Sequence, residues 1–256
     1  MIFNTHTHLN SKELYDNHLE YIKNATECNV NKMVVVGFDL ESSKKAVEIA
    51  EANENIYASV GICPTEIRSD SNIEYDEYEK LLTSKKVVAV GEVGLDYYYD
   101  TTDKEKQTEC FIKFIELANK YNLPIIIHSR DSLLDTLNML KKYPVTKKGI
   151  MHCYSGSAEA AKDFIKLGYY ISLAGPVTFK NARVPKEVAL KVSLDNLLVE
   201  TDDPYLTPHP YRGKRNEPKY VTFVVDEIAR IKNVPYEEVA NKTYKNALEV
   251  FNICEK

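Results

Sequence analysis

With 256 residues, 44% of them hydrophobic and 28% charged, the chain has the make-up of a folded globular protein with a sizeable core, which excludes an intrinsically disordered one. It contains no run of about 18 apolar residues, which excludes a membrane-spanning helix. A net charge of −5, from 33 basic against 38 acidic residues, excludes nucleic-acid binding by overall positive charge, so a polyanion would have to meet a local basic patch.

The chain opens on a short extended run, residues 2–6, that leads into His6-Thr7-His8. In a strand, residues i and i+2 point to one face, so these histidines can aim two imidazoles at one point, a geometry suited to zinc, copper, iron or nickel. Two ligands do not close a site, and the rest of the chain must supply others. Further apolar, β-branched runs follow at 33–37, 56–61, 87–92, 124–128, 149–152, 169–173 and 197–200. Amphipathic, Lys/Glu-rich segments lie between them at 11–28, 41–53, 73–84, 103–121, 131–142, 158–167 and 184–191, and two more follow the eighth strand at 220–232 and 235–251. In the fourth, Phe111, Phe114, Ile115 and Ala118 recur at steps of three and four, the period of a helix with one buried face. Asp131 and Ser157 stand where helix N-caps belong.

Strands alternating with helices in this way over about 250 residues have the arithmetic of an α/β fold of the (β/α)₈ TIM-barrel kind. A doubly wound open sheet would carry a Gly-rich loop after its first strand. Here that loop reads Thr7-His8-Leu9-Asn10-Ser11, and no G-x-G-x-x-G or Walker loop appears elsewhere. With no internal repeat, low-complexity tract or linker, the expected organisation is a single domain over residues 1–256. The stretch 201–218 is the longest without a clear element, and such loops in compact domains are usually functional. Cys28, Cys63, Cys110, Cys153 and Cys254 are odd in number and lack Cys-x-x-Cys spacing, which argues against a disulfide framework and a thiolate zinc site. Together with an N-terminus lacking a secretory-leader pattern, this leads to the expectation of a cytoplasmic protein with reduced thiols, no membrane attachment and no obligate protein partner.

Following the predicted strands to their C-terminal ends collects His6, His8, Glu92, His128, His152 and Asp202. Active sites of such barrels are built at those ends, and packing gives no reason for four of the six histidines to gather there. The same stretches carry a resemblance. Thr5-His6-Thr7-His8, Gly91-Glu92-Val93-Gly94-Leu95-Asp96-Tyr97, His128-Ser129-Arg130-Asp131, His152-Cys153-Tyr154-Ser155-Gly156, Glu200-Thr201-Asp202 with Pro204-Tyr205-Leu206, and Arg215-Asn216-Glu217-Pro218 resemble, in order and over nearly the whole chain, the signature blocks of the TatD family of metal-dependent hydrolases and deoxyribonucleases. The resemblance implies a (β/α)₈ barrel carrying one or two divalent ions (zinc, magnesium or manganese), with His6, His8, Glu92, His128, His152 and Asp202 as ligands and Glu92 able to bridge two ions.

The chemistry of the residues agrees with this. Six ligands exceed the three that a catalytic zinc takes beside its open position. They suit two ions about 3.5–4 Å apart, which can clamp the attacking and leaving oxygens of a displacement at phosphorus while water of lowered pKa supplies the nucleophile. Asp202 would orient that water and take its proton, so Asp202 and Glu92 are the expected catalytic residues. Two positions depart from the family pattern. Asn4 stands where an acidic residue is usual, which removes a charge from the support of the histidines. Cys63, in Gly61-Ile62-Cys63-Pro64, stands where a histidine is common; it lies outside the ligand set and cannot act as a cationic phosphate contact.

Arg130 offers a bidentate fork to a phosphate or to an aspartate on the rim. The cluster His209-Pro210-Tyr211-Arg212-Gly213-Lys214-Arg215 is the one local concentration of positive charge with an aromatic interleaved, suited to a nucleic-acid strand, although Arg215 has Glu200 as an alternative partner. Tyr97, Tyr98 and Tyr99 can stack on bases or wall the cleft. His18 reads as a surface residue, and strand alternation turns Cys153 away from the site. The expected function is deoxyribonuclease action on DNA as substrate. An amide, ester or lactone hydrolase on the same metals is the alternative, and a metal-binding scaffold a third. The absence of a lysine placed to be carbamylated between two ions, together with the basic cluster after strand eight, favours the phosphodiester.

Overall fold

The structure, a computed structural model, describes residues 1–98 and 103–254. Eight strands pair in parallel and in sequence order: β1 (Ile2–Thr7), β2 (Val30–Val36), β3 (Ile56–Val60), β4 (Val87–Asp96), β5 (Ile125–Arg130), β6 (Gly149–Met151), β7 (Tyr169–Leu173) and β8 (Leu197–Val199). Helices α1 (His18–Glu27), α2 (Leu40–Ala52), α3 (Tyr75–Leu81), α4 (Lys104–Tyr121), α5 (Leu133–Lys142), α6 (Ala158–Lys166) and α7 (Arg183–Lys191) lie between them, and α8 (Val221–Lys232) and α9 (Tyr236–Val250) follow. This is the (β/α)₈ barrel expected from the sequence. No helix among the described residues is long and apolar enough to cross a membrane.

The strands read as continuous Val/Ile/Ala runs because both of their faces are buried. One face joins the helices in a large apolar cluster that includes Met33, Val35, Ala58, Val60, Ile125 and Ile127. Alternate positions, Phe3, Val34, Val36, Val88, Ile126, Ile150 and Leu198, form a second cluster, joined by Tyr244, Ala247 and Phe251 of and just after α9. The seam between β8 and β1 is held largely through side chains. Thr5 Oγ1 donates to the Val199 carbonyl at 3.1 Å, Asn4 Nδ2 donates to Thr201 Oγ1 at 2.7 Å, and the amides of Asp202 and His8 donate to His6 O (3.0 Å) and Asp203 O (3.1 Å).

Three local expectations need correction. The first helix begins at His18, after a 3₁₀ turn at Tyr15–Asn17, and not at Ser11. Leu9 and Leu14 are buried and Asn10 Nδ2 donates to Val36 O and Ser42 O, so the chain is held against the barrel before it can coil. Ser157 does cap α6, accepting from Ala160 N at 3.1 Å, but the cap position of α5 is Ser132, and Asp131 precedes it with φ +54°. Strand β4 runs on to Asp96 instead of stopping at Glu92. Its Gly91 and Gly94 sit at φ +146° and +145°, where a Cβ would run into Ile126 and the His128 carbonyl. Only glycine fits at those two points, and so β4 can lie against β5 where Glu92 meets His128.

Candidate metal centre

The structure brings His6, His8, Glu92, His128, His152 and Asp202 together at the C-terminal end of the barrel. The pairing of β1 with β2 is irregular between Asn4 and Thr7, yet the two histidines converge, with their Nε2 atoms 3.1 Å apart. Asp202, in a left-handed backbone conformation (φ +55°) that aspartate tolerates better than most residues, turns its carboxylate to 3.6 Å from His6 Nε2 and 3.4 Å from His8 Nε2.

Glu92 divides this cluster in two. Its Oε2 faces His6 and His8 Nε2 at 3.5 and 3.8 Å. Its Oε1 faces His128 Nδ1 at 2.7 Å, His152 Nε2 at 3.2 Å and Cys63 Sγ at 3.5 Å. Each carboxylate oxygen therefore has its own group of donors, the arrangement a bridging ligand requires.

The outward nitrogens of three histidines show that these atoms suit cations. His8 Nδ1 lies 3.0 Å from the Val36 carbonyl, His128 Nε2 2.8 Å from Asp96 Oδ2, and His152 Nδ1 3.0 Å from Glu200 Oε1. All three partners accept, so those nitrogens carry the protons and the inward nitrogens present lone pairs. Lone pairs then face carboxylate oxygens in a buried space, and His128 Nδ1, despite its 2.7 Å approach to Glu92, makes no hydrogen bond. Such an acceptor-only cluster is stabilised by protons or by metal ions. The electrostatics of the cluster agree. Burial pushes the Glu92 carboxyl up, but His152, His128 and His6 pull it further down, to well below the usual range. Asp202 falls to about 2, burial being outweighed by the His8 hydrogen bond and the charges of His152 and His6. His152 is depressed by burial and raised more strongly by Glu92 and Glu200. The nearby carboxylates raise His8 and His128 in the same way, while burial and the neighbouring His152 lower His6, and metal and proton compete for the same lone pairs.

Sequence reasoning missed Asp96 and Glu200 as the supports of His128 and His152. Both lie inside quoted motifs, but linear spacing does not say which imidazole each faces. It also missed Asp203, which is buried, accepts from Thr7 Oγ1 at 2.7 Å and from Thr201 Oγ1, and so pins the loop after β8 to β1. Asn216 holds the same loop from its far end, donating to the Thr201 and Tyr205 carbonyls at 2.9 and 2.6 Å. Asn4 reaches neither imidazole. Its amide accepts from Thr201 N (3.1 Å) while donating to Thr201 Oγ1, a pair of roles that a carboxylate could not fill.

Around these side chains opens a cleft of about 570 Å³ whose walls include Phe38, Arg68, Arg130 and Tyr205. Arg130 stacks on Tyr98, 3.6 Å from the ring centroid. Arg68, which the sequence did not single out, is held by the Thr65 and Ile67 carbonyls. The basic cluster after β8 stands apart from this cleft. Arg215 is exposed and donates to the Glu13 carbonyl, while Glu200 is engaged by His152 and Cys153. Tyr211 stacks on Tyr220 at 4.9 Å, and Arg212 covers Phe179. Tyr97 donates to Asp135 Oδ2 at 3.0 Å, and Tyr99 lies outside the described residues. His18, partly exposed, opens α1 with Nδ1 2.7 Å from the Tyr15 carbonyl. Strand β6 ends at Met151, so alternation does not orient Cys153. Its residue sits in a turn at φ +41°, and burial beside Asp202 and Glu200 pushes its thiol well up, away from nucleophilic use.

The supports behind the histidines give a direct test. Asp96→Asn keeps the shape and an acceptor for His128 but removes the charge, and the expected result is a metal affinity lower by about 10–100-fold with the fold unchanged. A competition titration with a zinc chelator reads this, and an unchanged affinity would detach His128 from the ions.

Fold and site define the class, a (β/α)₈ barrel with a buried His/Glu/Asp cluster that could hold metal at the C-terminal ends of its strands. The chain matches the family model described as TatD related DNase over residues 3–252. It is 46% identical over 255 residues to the uncharacterized metal-dependent hydrolase YabD of Bacillus subtilis, covering 99% of this chain and 100% of that one. It is 35% identical over 256 residues to YcfH, an uncharacterized metal-dependent hydrolase of Escherichia coli K12, covering 98% and 96%. The crystal structure of YjjV, a TatD homologue from Escherichia coli K12, superposes with a TM-score of 0.94 at 29% identity over 99% of this chain and 98% of that one. The chain belongs to the TatD family of metal-dependent hydrolases.

Proposed function

We propose that this protein is a deoxyribonuclease that hydrolyses phosphodiester bonds of DNA at an end or in a single strand, with His6, His8, Glu92, His128, His152 and Asp202 holding two divalent ions. The observation that carries the reading is the division of donors between the two oxygens of Glu92, beside a cleft with Arg68 and Arg130 in its walls. Divalent ions in this set would supply water of lowered pKa and neutralise charge developing on the phosphate.

The protein's own groups do the rest. Asp202 is ionised and faces the cleft, placed to orient the water and take its proton. Arg130, stacked on Tyr98, presents a planar fork that pairs with phosphate oxygens. Phe38 and Tyr205 offer ring faces to an unpaired base, a contact that tolerates any sequence. The size of the cleft falls in the range that encloses small ligands, about 300–1,000 Å³, which favours a terminal nucleotide as the group bound in it. The thiols are all free, in keeping with a reducing, cytoplasmic setting.

The test offers the metal-loaded protein single-stranded DNA, duplex DNA, and carboxylic esters and lactones in parallel, with and without chelator. Metal-dependent nucleotide release, fastest on single strands or frayed ends, is the expected result. Hydrolysis of esters or lactones with DNA left intact would overturn the assignment. In the same assay Arg130→Ala should weaken DNA binding and lower the slope of log affinity against log salt by about one, with little effect on metal content. An unchanged slope would remove Arg130 from the phosphate path.

A further inference from the structure

We infer that Cys63 is a metal ligand, a soft thiolate donor to the ion on the Oε1 side of Glu92, and that it biases this position toward thiophilic ions such as zinc. The inference rests on the two-ion reading above and adds a residue to it. Cys63 Sγ, the nearer oxygen of Glu92 and a ring nitrogen of His128 lie within 4.8 Å of one another, with sulfur 3.5 Å from Glu92 Oε1. With bond lengths of about 2.3 Å to sulfur and 2.0 Å to oxygen, two ligands on one tetrahedral zinc stand about 3.5 Å apart. Sulfur and carboxylate are thus already spaced as two corners of one coordination shell.

The surroundings fit a ligand better than a packing residue. Cys63 is buried, and its backbone is fixed on both sides, its amide donating to Phe38 O at 2.8 Å and its carbonyl accepting from Glu66 N at 2.9 Å. Thr65 Oγ1 donates to the sulfur at 3.1 Å, treating it as an acceptor, the role it keeps as a thiolate. Without an ion the thiol hydrogen points at Glu92 Oε1. An ion arriving there takes the hydrogen's place: the S–H bond breaks, a sulfur–metal bond forms, and the proton leaves to solvent. The resulting donor set, sulfur with imidazole and carboxylate, favours zinc or cobalt over magnesium or manganese, whereas His6, His8 and Asp202 on the other side offer only nitrogen and oxygen.

Cobalt(II) substitution tests this without reference to activity. The apo-protein is loaded with cobalt(II) and its absorption recorded, for the wild type and for Cys63→Ser, Cys63→Ala and Cys153→Ser. Visible d–d bands report that an ion is bound, and a near-ultraviolet thiolate-to-cobalt charge-transfer band reports sulfur on it. The expected result is both bands in the wild type and in Cys153→Ser, and d–d bands alone in the Cys63 variants. Zinc affinity at this position should fall in Cys63→Ser by at least the about 10–100-fold typical of disturbing a ligand's support, with manganese affinity little changed. Bound cobalt with no charge-transfer band in the wild type overturns the inference whether or not the Cys63 variants fold, and leaves the two-ion reading standing. A band that survives in Cys63→Ser and vanishes in Cys153→Ser also overturns it. Failure of the wild type to bind cobalt at all overturns the metal-site reading itself, and the inference with it.

Discussion

Asp202→Asn is expected to lower hydrolysis by roughly 10²–10⁴-fold, the range of a lost general base, while metal content falls by no more than one ion and the unfolding temperature barely moves. Asparagine is the informative replacement because position 202 has φ +55°, and asparagine, like aspartate, tolerates left-handed backbone where alanine would add strain. The substitution removes charge and proton acceptance together and leaves the loop held by Asp203 and Asn216. Initial rates of nucleotide release, metal analysis and thermal unfolding on the same preparation separate chemistry from folding. Retention of more than about a tenth of wild-type activity would place proton transfer elsewhere.

The second large effect is expected from combining His6→Ala with His8→Ala. These are the two nitrogen donors facing Glu92 Oε2, and without them that side keeps only carboxylates. At least one ion per chain should be lost after dialysis, with hydrolysis reduced to background and the circular dichroism spectrum still that of an α/β barrel. The fold survives because β1 keeps Ile2 and Phe3 in the two apolar clusters and its neighbours keep their Val and Ile runs. A double variant that retains two ions with wild-type affinity would mean that β1 does not organise the site.

The barrel could be read from the sequence because strands with both faces buried leave continuous apolar runs, and each amphipathic helix betrays its buried face by its period. The convergence of the candidate residues could be read because the barrel collects strand ends in space, so residues as far apart as His6 and Asp202 share one address. What hid from the sequence depends on contacts across space. Nothing linear pairs Asp96 with His128 or Glu200 with His152, and the role of Asn4 appears only when the β1–β8 seam is seen to close through its amide. Arg68 lies beyond the Cys63-Pro64 turn with no motif around it, and it counts only because that turn brings it to the cleft. Arg215 is the opposite case. A basic cluster is conspicuous in sequence, yet its aromatic packs against Tyr220 and its charge lies outside the cleft. Cys63 read as a departure from a pattern because its neighbours in sequence do not show that its sulfur faces Glu92.

The most direct measurement is a titration of chelator-stripped protein with divalent metal, following nucleotide release from single-stranded DNA against equivalents of ion bound per chain. The stripped protein should release nothing, activity should rise to a plateau at two equivalents, and Glu92→Gln should lose that plateau. Release by the stripped protein, or intact DNA with two ions bound, would contradict the proposed function.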